Sequence, residues 1–327
     1  MSIYSDSASR PGQINSAGDD RALFLTEFGG LVITSYKRHV GDYDSLRWVK
    51  NITQGKSDTF PIIGRKDEAT EHEPGELVLG GKVDHNQIEI TVDKLVFDSI
   101  FIPEIDELLN HIEVRGPYAE SLGQSLGTLD AKRIAITHIL ASRKYFVGAS
   151  ATGVPAGQPA PSYAFDSNMK TSATVLESAM FSGRQYMLEQ DISGNEPEVR
   201  LPHQQVLLLA RQIGLDPSTS VAREGAGSGN RVTGTIGRMV GMEIMGTNFI
   251  PKTNISIGNS KYQGNFTTTV GHIGSKMAVG SLERRGFKLV MKDIPERFGA
   301  QMIASKVNGH GILRPECSFE LATAVRS

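Results

Sequence analysis

Cysteine is almost absent from this chain: Cys317 stands alone among 327 residues. A lone thiol excludes an internal disulfide and any thiolate metal cage, so Cys317 reads as a small buried hydrophobe in a strand. Long hydrophobic runs are missing too. No apolar stretch approaches the roughly 18 residues that a membrane-spanning helix needs. The opening MSIYSDSASRPGQINSAGDD has neither the basic region nor the apolar core of a signal peptide. A soluble protein, made and used in a reducing cytoplasm, is expected. Charge of one sign is not in surplus either: Lys+Arg 34 against Asp+Glu 36 leaves a net charge of −2. A protein that grips DNA through its phosphates shows a basic excess or stripe. This balance fits, at most, one that encloses nucleic acid without holding it.

Catalytic signals are equally sparse. The eight histidines (His39, His72, His85, His111, His138, His203, His272 and His310) follow no HExxH or other metal-ligand spacing. No GxSxG elbow is present. Gly225, Gly227 and Gly229 invite a phosphate-loop reading, but the lysine and spacing of a Walker loop are missing, and so is the third glycine of a dinucleotide fingerprint. A surface loop is the simpler reading. Asp67, Glu68, Glu71, Glu73 and Glu76 pair only on paper, because a wet loop tip does not raise one carboxyl pKa above another. No enzyme, no cofactor and no metal site is expected. No repeat period of roughly 20–50 residues recurs, so solenoids and propellers are excluded.

What is there is a set of long elements. Residues 21–30 suggest a short helix capped by Asp19 or Asp20 and stopped by Gly29-Gly30, and Ser45–Thr53 suggests a strand carrying the single tryptophan, Trp48. An extended strand is expected from Ser57 to Gly64, then a charged loop from Arg65 to Glu76, a glycine turn at Gly80-Gly81, and a second strand from Gln87 to Phe101. Pro103 is placed to open a helix to Arg115, which Gly116-Pro117 breaks. A longer helix from Tyr118 to about Lys144 carries the stripe Leu122, Leu126, Leu129, Ile136 and Ile139 or Leu140, and would be roughly 40 Å long. Ala151–Ser162, rich in proline, reads as a linker. Helices follow at Ser172–Gln190 and Pro202–Ile213. The run from Thr235 to Pro251 alternates small and apolar residues, and the tail holds short strand runs in KMAVGSL, FKLVMKD, QMIASKV and CSFELATAV. A lone hairpin is marginal in water, so the arm at 57–101 needs a surface to lie on. A neighbouring copy is the natural one, and the chain reads as built to assemble.

Four phrases carry a resemblance: LFLTEFGG (Leu23–Gly30), FPIIGRKDEATEHEPGE (from Phe60 to Glu76), DELLNHIEVRGPYAESLGQSLG (from Asp106) and NGHGILRPE (Asn308–Glu316). In this order the chain resembles the major capsid proteins of short-tailed, T-seven-like podoviruses. The resemblance implies an α+β, Hong Kong 97-like fold with an N-terminal arm (1–45), an extended loop (46–97), a peripheral domain with a spine helix (98–150 and 276–327) and an axial domain (151–275). It implies a structural shell protein that self-assembles through pentamers and hexamers into the icosahedral head enclosing double-stranded DNA. Its partners would be copies of itself, portal and scaffolding proteins and a decoration protein, with no membrane. It would be found in the virion and made in the host cytoplasm. Phe60, Arg65, Glu71, Glu73, Glu76, Arg314 and Glu316 are the expected inter-subunit contacts. Two other readings stay open: an encapsulin-type compartment holding enzyme cargo, and a nucleotide-binding enzyme using Gly225–Gly229.

Overall fold

The computed structural model describes residues 20–63, 71, 77, 85–103, 115–144, 163–189, 196–212 and 237–324. It mixes helices and strands and divides into two compact units. The first comprises Met1–His39, Leu95–Thr128 and Phe287–Lys306; the second comprises Val40–Lys94, Leu129–Gly286 and Val307–Ser327. Helices α1 (Asp20–Asp44) and α2 (Arg115–Ser142) and strands β12 (Val279–Ile294) and β13 (Gly299–Ile312) pass from one unit into the other.

In the first unit, β13 pairs antiparallel with β4 (Val96–Pro103), from Gly299↔Pro103 to Lys306↔Val96. Alternate residues of this pair, Ile102, Met302 and Ala304, are buried, as the period of two requires. The helical part is closed by a contact that only glycine permits. Gly123 and Gly127 are one turn apart on α2, and a Cβ at Gly123 would stand 2.4 Å from the Val32 carbonyl oxygen on α1. The helices therefore meet backbone to backbone, and Ser35 Oγ donates to the Glu120 carbonyl at 2.8 Å. Lys306 is buried, but its ammonium donates to Tyr36 Oη at 2.6 Å and lies over the Tyr36 ring, so its charge is not left bare.

The second unit is built on a six-stranded sheet in the order β5 (Tyr163–Phe165), β14 (Ser318–Ala322), β11 (Thr269–Gly274), β6 (Glu198–Leu201), β8 (Met242–Gly246), β7 (Arg238–Met239). Helices α3 (Ala173–Glu189) and α4 (His203–Gln212) share its main apolar cluster: Leu176, Met180, Leu209 and Met187 pack with Val199, Ile273 and Phe319. Each such side chain contributes about 1.5–3 kcal/mol on burial. The end of α2 is tied to β14 by a buried carboxylate. Glu320 takes two bonds from Arg143, at 3.0 and 2.9 Å, and one from Thr269 Oγ1 at 2.6 Å. Burial lowers the Arg143 pKa to about 10. Val240 and Gly241, both at positive φ, turn β7 into β8. This is the backbone of a type I′ hairpin, and a branched residue in its first central position is strained.

Several expectations meet their match. Ser57–Gly64 is β2 (Ser57–Ile63), Ser172–Gln190 is α3, Pro202–Ile213 is α4, and the Trp48 strand is β1 (Trp48–Asn51). Cys317 is buried as expected, at 1% exposed, but in a short 3-10 turn leading into β14 and not in a strand, and burial pushes its thiol up to about 12. Others are corrected. α1 does not stop at Gly29-Gly30 but runs 25 residues. Two glycines cost roughly 1 kcal/mol each, and the buried row Val32, Tyr36, Val40 and Tyr43 outweighs them. Gly116-Pro117 lies in the first turn of α2, where proline lacks nothing it would otherwise donate, and the helix it was expected to end falls outside the described residues. Pro103 does not open a helix; it is the last residue of β4. On α2, Leu122, Leu126, Ile136 and Ile139 are buried as expected, but Leu129 is 36% exposed. KMAVGSL and FKLVMKD belong mostly to one strand, β12. The tail 1–19, the charged loop apart from Glu71, the Gly80-Gly81 turn, the helix at 104–114, the linker 151–162 and the Gly225–Gly229 loop lie outside the described residues.

Candidate assembly site at the root of a two-stranded ribbon

The long second strand expected from Gln87 to Phe101 is two strands. β3 (His85–Thr91) pairs antiparallel with β2 alone, from Ser57↔Thr91 to Ile63↔His85, while β4 belongs to a different sheet. The result is a two-stranded ribbon with an open edge on each side among the described residues. Period two divides its faces. Thr59, Pro61, Gln87 and Glu89 are exposed, whereas Phe60 and Ile90 are 6% and 2% exposed. Pro61 suits an edge strand because it has no N–H to offer a ladder.

Phe60 and Ile90 pack with Val92, Leu282 and Leu313, with Ile52, Ile88 and Val307 around them. The ribbon's near half therefore has a home within its own unit. This corrects the expectation that the arm finds burial only on a neighbour, which now applies no further in than the part beyond Ile63 and His85. Lys50 on β1 adds a surface tie, at 2.7 Å from Asp58 Oδ2 and 3.1 Å from the Thr59 carbonyl. That hydrogen bond holds the Asp58 carboxyl below its usual range.

Under the ribbon's exit lies the phrase NGHGILRPE. The Asp93 amide donates to the Asn308 carbonyl at 3.0 Å, and the Val92 amide to the Lys56 carbonyl at 2.8 Å. A Cβ at Gly309 would stand 2.4 Å from the Thr91 carbonyl oxygen and 2.9 Å from Val92 Cα, so a side chain there would lift the ribbon off its seat. Gly309→Ala is expected to destabilise the protein by about 1–3 kcal/mol, the range for overpacking, read as a shifted urea midpoint. Gly286→Ala, which meets nothing within 4 Å, is the control. Equal midpoints for the two variants would show the seat to be loose.

A buried polar network continues from the seat. Asn308 Nδ2 donates to both Asp130 oxygens at 2.8 Å, and Ser281 Oγ shares a 2.7 Å bond with His310 Nδ1. The His310 amide donates to Tyr262 Oη at 3.2 Å, and Tyr262 Oη donates to Asp93 Oδ2 at 2.5 Å. Burial raises the Tyr262 pKa, and the Asp93 charge adds to it, so the phenol keeps its proton and acts as donor. Burial lowers the His310 pKa even with Asp130 opposing. The cluster can orient and brace; it has no open nucleophile or metal geometry. No group of three or more His, Cys, Asp or Glu that could hold a metal occurs among the described residues, and no described helix is long and apolar enough to cross a membrane.

Of the expected contact residues, Phe60 is in the root cluster, Glu71 is exposed, Arg314 is half-buried and Glu316 is 9% exposed in the turn Pro315–Cys317. Arg65, Glu73 and Glu76 lie outside the described residues. Sequence reasoning missed Asp93, Tyr262 and Gly309. The one local signal was the pair Gly309 and Gly311 inside a strand, which marks a close backbone approach.

Residues 59–322 match the model of the Gp10A-like family, described as major capsid protein. Over 113 residues, 34% of this chain, the sequence is 39% identical to the major capsid protein of Escherichia phage T7. That match takes in 32% of the relative, so the chain spans about a third of the length of the curated relatives it matches. The fold is similar to the capsid of Cyanophage P-SCSP1u, with a TM-score of 0.74 and 26% identity over 87% of this chain and 88% of that one. It is also similar to the mature capsid of bacteriophage PhiM1, at 0.68 and 15% over 87% of each. This is the Hong Kong 97-like architecture. The family match runs from the ribbon through its seat to the last strand of the main sheet, and the chain belongs to the Gp10A-like major capsid proteins, a structural family and not an enzyme family.

Proposed function

We propose that this chain is the repeating subunit of a tailed-phage head, which assembles through pentamers and hexamers into an icosahedral shell around double-stranded DNA. The family match over 59–322 carries this reading. The ribbon supports it physically, because neither of its edges pairs with a further strand among the described residues, which leaves a place where a neighbouring copy can lie. The arm (1–45), extended loop (46–97), peripheral domain (98–150 and 276–327) and axial domain (151–275) would divide the labour. Arg65, Glu71, Glu73 and Glu76 would meet opposite charges on an adjacent subunit, where mixed charge favours register over raw affinity. Arg314 and Glu316 would contribute from beside the seat, and Phe60 by anchoring the root. A net charge of −2 suits a wall that encloses DNA without gripping it. Heterologous contacts of this kind close into rings where the rotation permits. The subunit would reside in the virion after synthesis in the host, with portal and scaffolding proteins as further partners.

Negative-stain microscopy of the purified protein tests this. Capsomers or closed shells are the expected result, and small compact particles would overturn it. Shells that purify with enzyme cargo and no DNA-packaging partners would favour the encapsulin reading.

A further inference from the structure

Asp93 lies between β3 and β4, where the ribbon leaves its unit. Its side chain is 2% exposed, and a carboxylate so placed is costly unless several donors hold it. One short segment supplies three: Asn259 Nδ2 at 3.0 Å, Lys261 Nζ at 3.1 Å and Tyr262 Oη at 2.5 Å. Arg133 Nη1 stands at 4.0 Å and its guanidinium lies over the Tyr262 ring. The same Lys261 ammonium donates to the Thr91 carbonyl at 2.6 Å, so one cation grips both the clamp residue and the ribbon's last paired residue. A ribbon with two open edges takes its heading from its root alone. Seven residues of β2 at about 3.3 Å each make an arm of about 23 Å, and a swing of about 10° at the root moves its far end by about 4 Å. That is close to one strand spacing, enough to lose hydrogen-bond register on another copy.

We propose that Asp93 is a positioning residue for assembly: the bonds from Asn259, Lys261 and Tyr262 set the direction in which the ribbon leaves its unit, and thereby the uniformity of the shell. This rests on the shell reading above. Tyr262→Phe keeps the ring in its apolar cluster and removes only the hydroxyl; Lys261→Met keeps the aliphatic stem. Each is expected to speed hydrogen exchange of amides 85–92 by about tenfold or more, since each removes at least one charge-assisted bond to Asp93, while amides of β11 exchange as before. Microscopy of the same preparations should show open or mixed-diameter particles. Unchanged exchange at 85–92 in both variants would overturn the clamp, as would uniform particles of the native diameter despite faster exchange. If the native protein forms no particles, the shell reading falls, and exchange at 85–92 alone decides the clamp.

Discussion

Removing Lys66–Lys82 is expected to leave a folded protein that forms no closed shells. The deletion leaves Gly64, Arg65, Val83 and Asp84 between the paired Ile63 and His85, and a loop of that length closes a hairpin well. The root is untouched, because Phe60 and Ile90 keep their contacts with Leu282 and Leu313. Circular dichroism and a thermal melt close to those of the native protein would show the units intact. What is lost is the charged segment with the carboxylates at Asp67, Glu68, Glu71, Glu73 and Glu76, which are expected to meet a neighbouring copy. Normal shells from the shortened chain would show that the loop is ornamental, and the assembly reading would then need another surface.

Acidification from pH 7 to 4 is expected to remove about 3 kcal/mol of stability through His138 alone. His138 is fully buried on α2, donates through Nε2 to the Leu46 carbonyl at 2.8 Å, and stacks on His272 at 5.3 Å. His272 in turn stacks on Tyr43 at 5.9 Å. Burial drives the His138 pKa down from 6.5 to about 4, and the Arg200 charge pushes the same way. His272 is lowered well below 6.5 by burial, then by His138 and Arg200. Arg200 is itself fully buried and held by the Asp42 carbonyl at 2.7 Å and Glu198 Oε2 at 2.5 Å, so it cannot move away from a new cation.

The sign follows from linkage. The folded pKa lies below the unfolded one, so the unfolded chain takes up the proton first. The stabilisation is complete above about pH 6.5 and is lost as pH falls toward about 4, at about 1.4 kcal/mol per pKa unit. Urea midpoints at pH 7, 5.5 and 4.5 should fall together with this slope, and His138→Gln should flatten part of it. A midpoint constant from pH 6.5 to 4 would contradict the burial argument.

Helices α3 and α4 and strand β2 were readable because their signals are local. Leu176, Met180 and Met187 recur at helical spacing, and Ser57–Ile63 ends in a run of Phe, Pro and Ile before a glycine. The errors share a different cause. Gly29-Gly30 has the local signature of a stop, but the buried row from Val32 to Tyr43 carries the helix through. The run from Gln87 to Phe101 has an unbroken strand pattern, yet Asp93 is drawn into a polar cluster by Lys261 and Tyr262, and the strand divides there. No propensity encodes a partner more than 160 residues away.

By itself, the order of residues placed this protein in its family: four phrases in succession resemble the major capsid proteins, while near-neutral charge, one thiol and the missing catalytic motifs only excluded other classes. Only the folded chain decided why two of those phrases matter to each other. FPIIG supplies the aromatic that packs on Leu313, and NGHG supplies the side-chain-free position under Thr91. Periodicity reports which face a side chain takes, since that depends on neighbours in the chain. Which surface that face meets is settled by packing between distant segments, where a single added methyl at Gly309 is the difference between contact and collision.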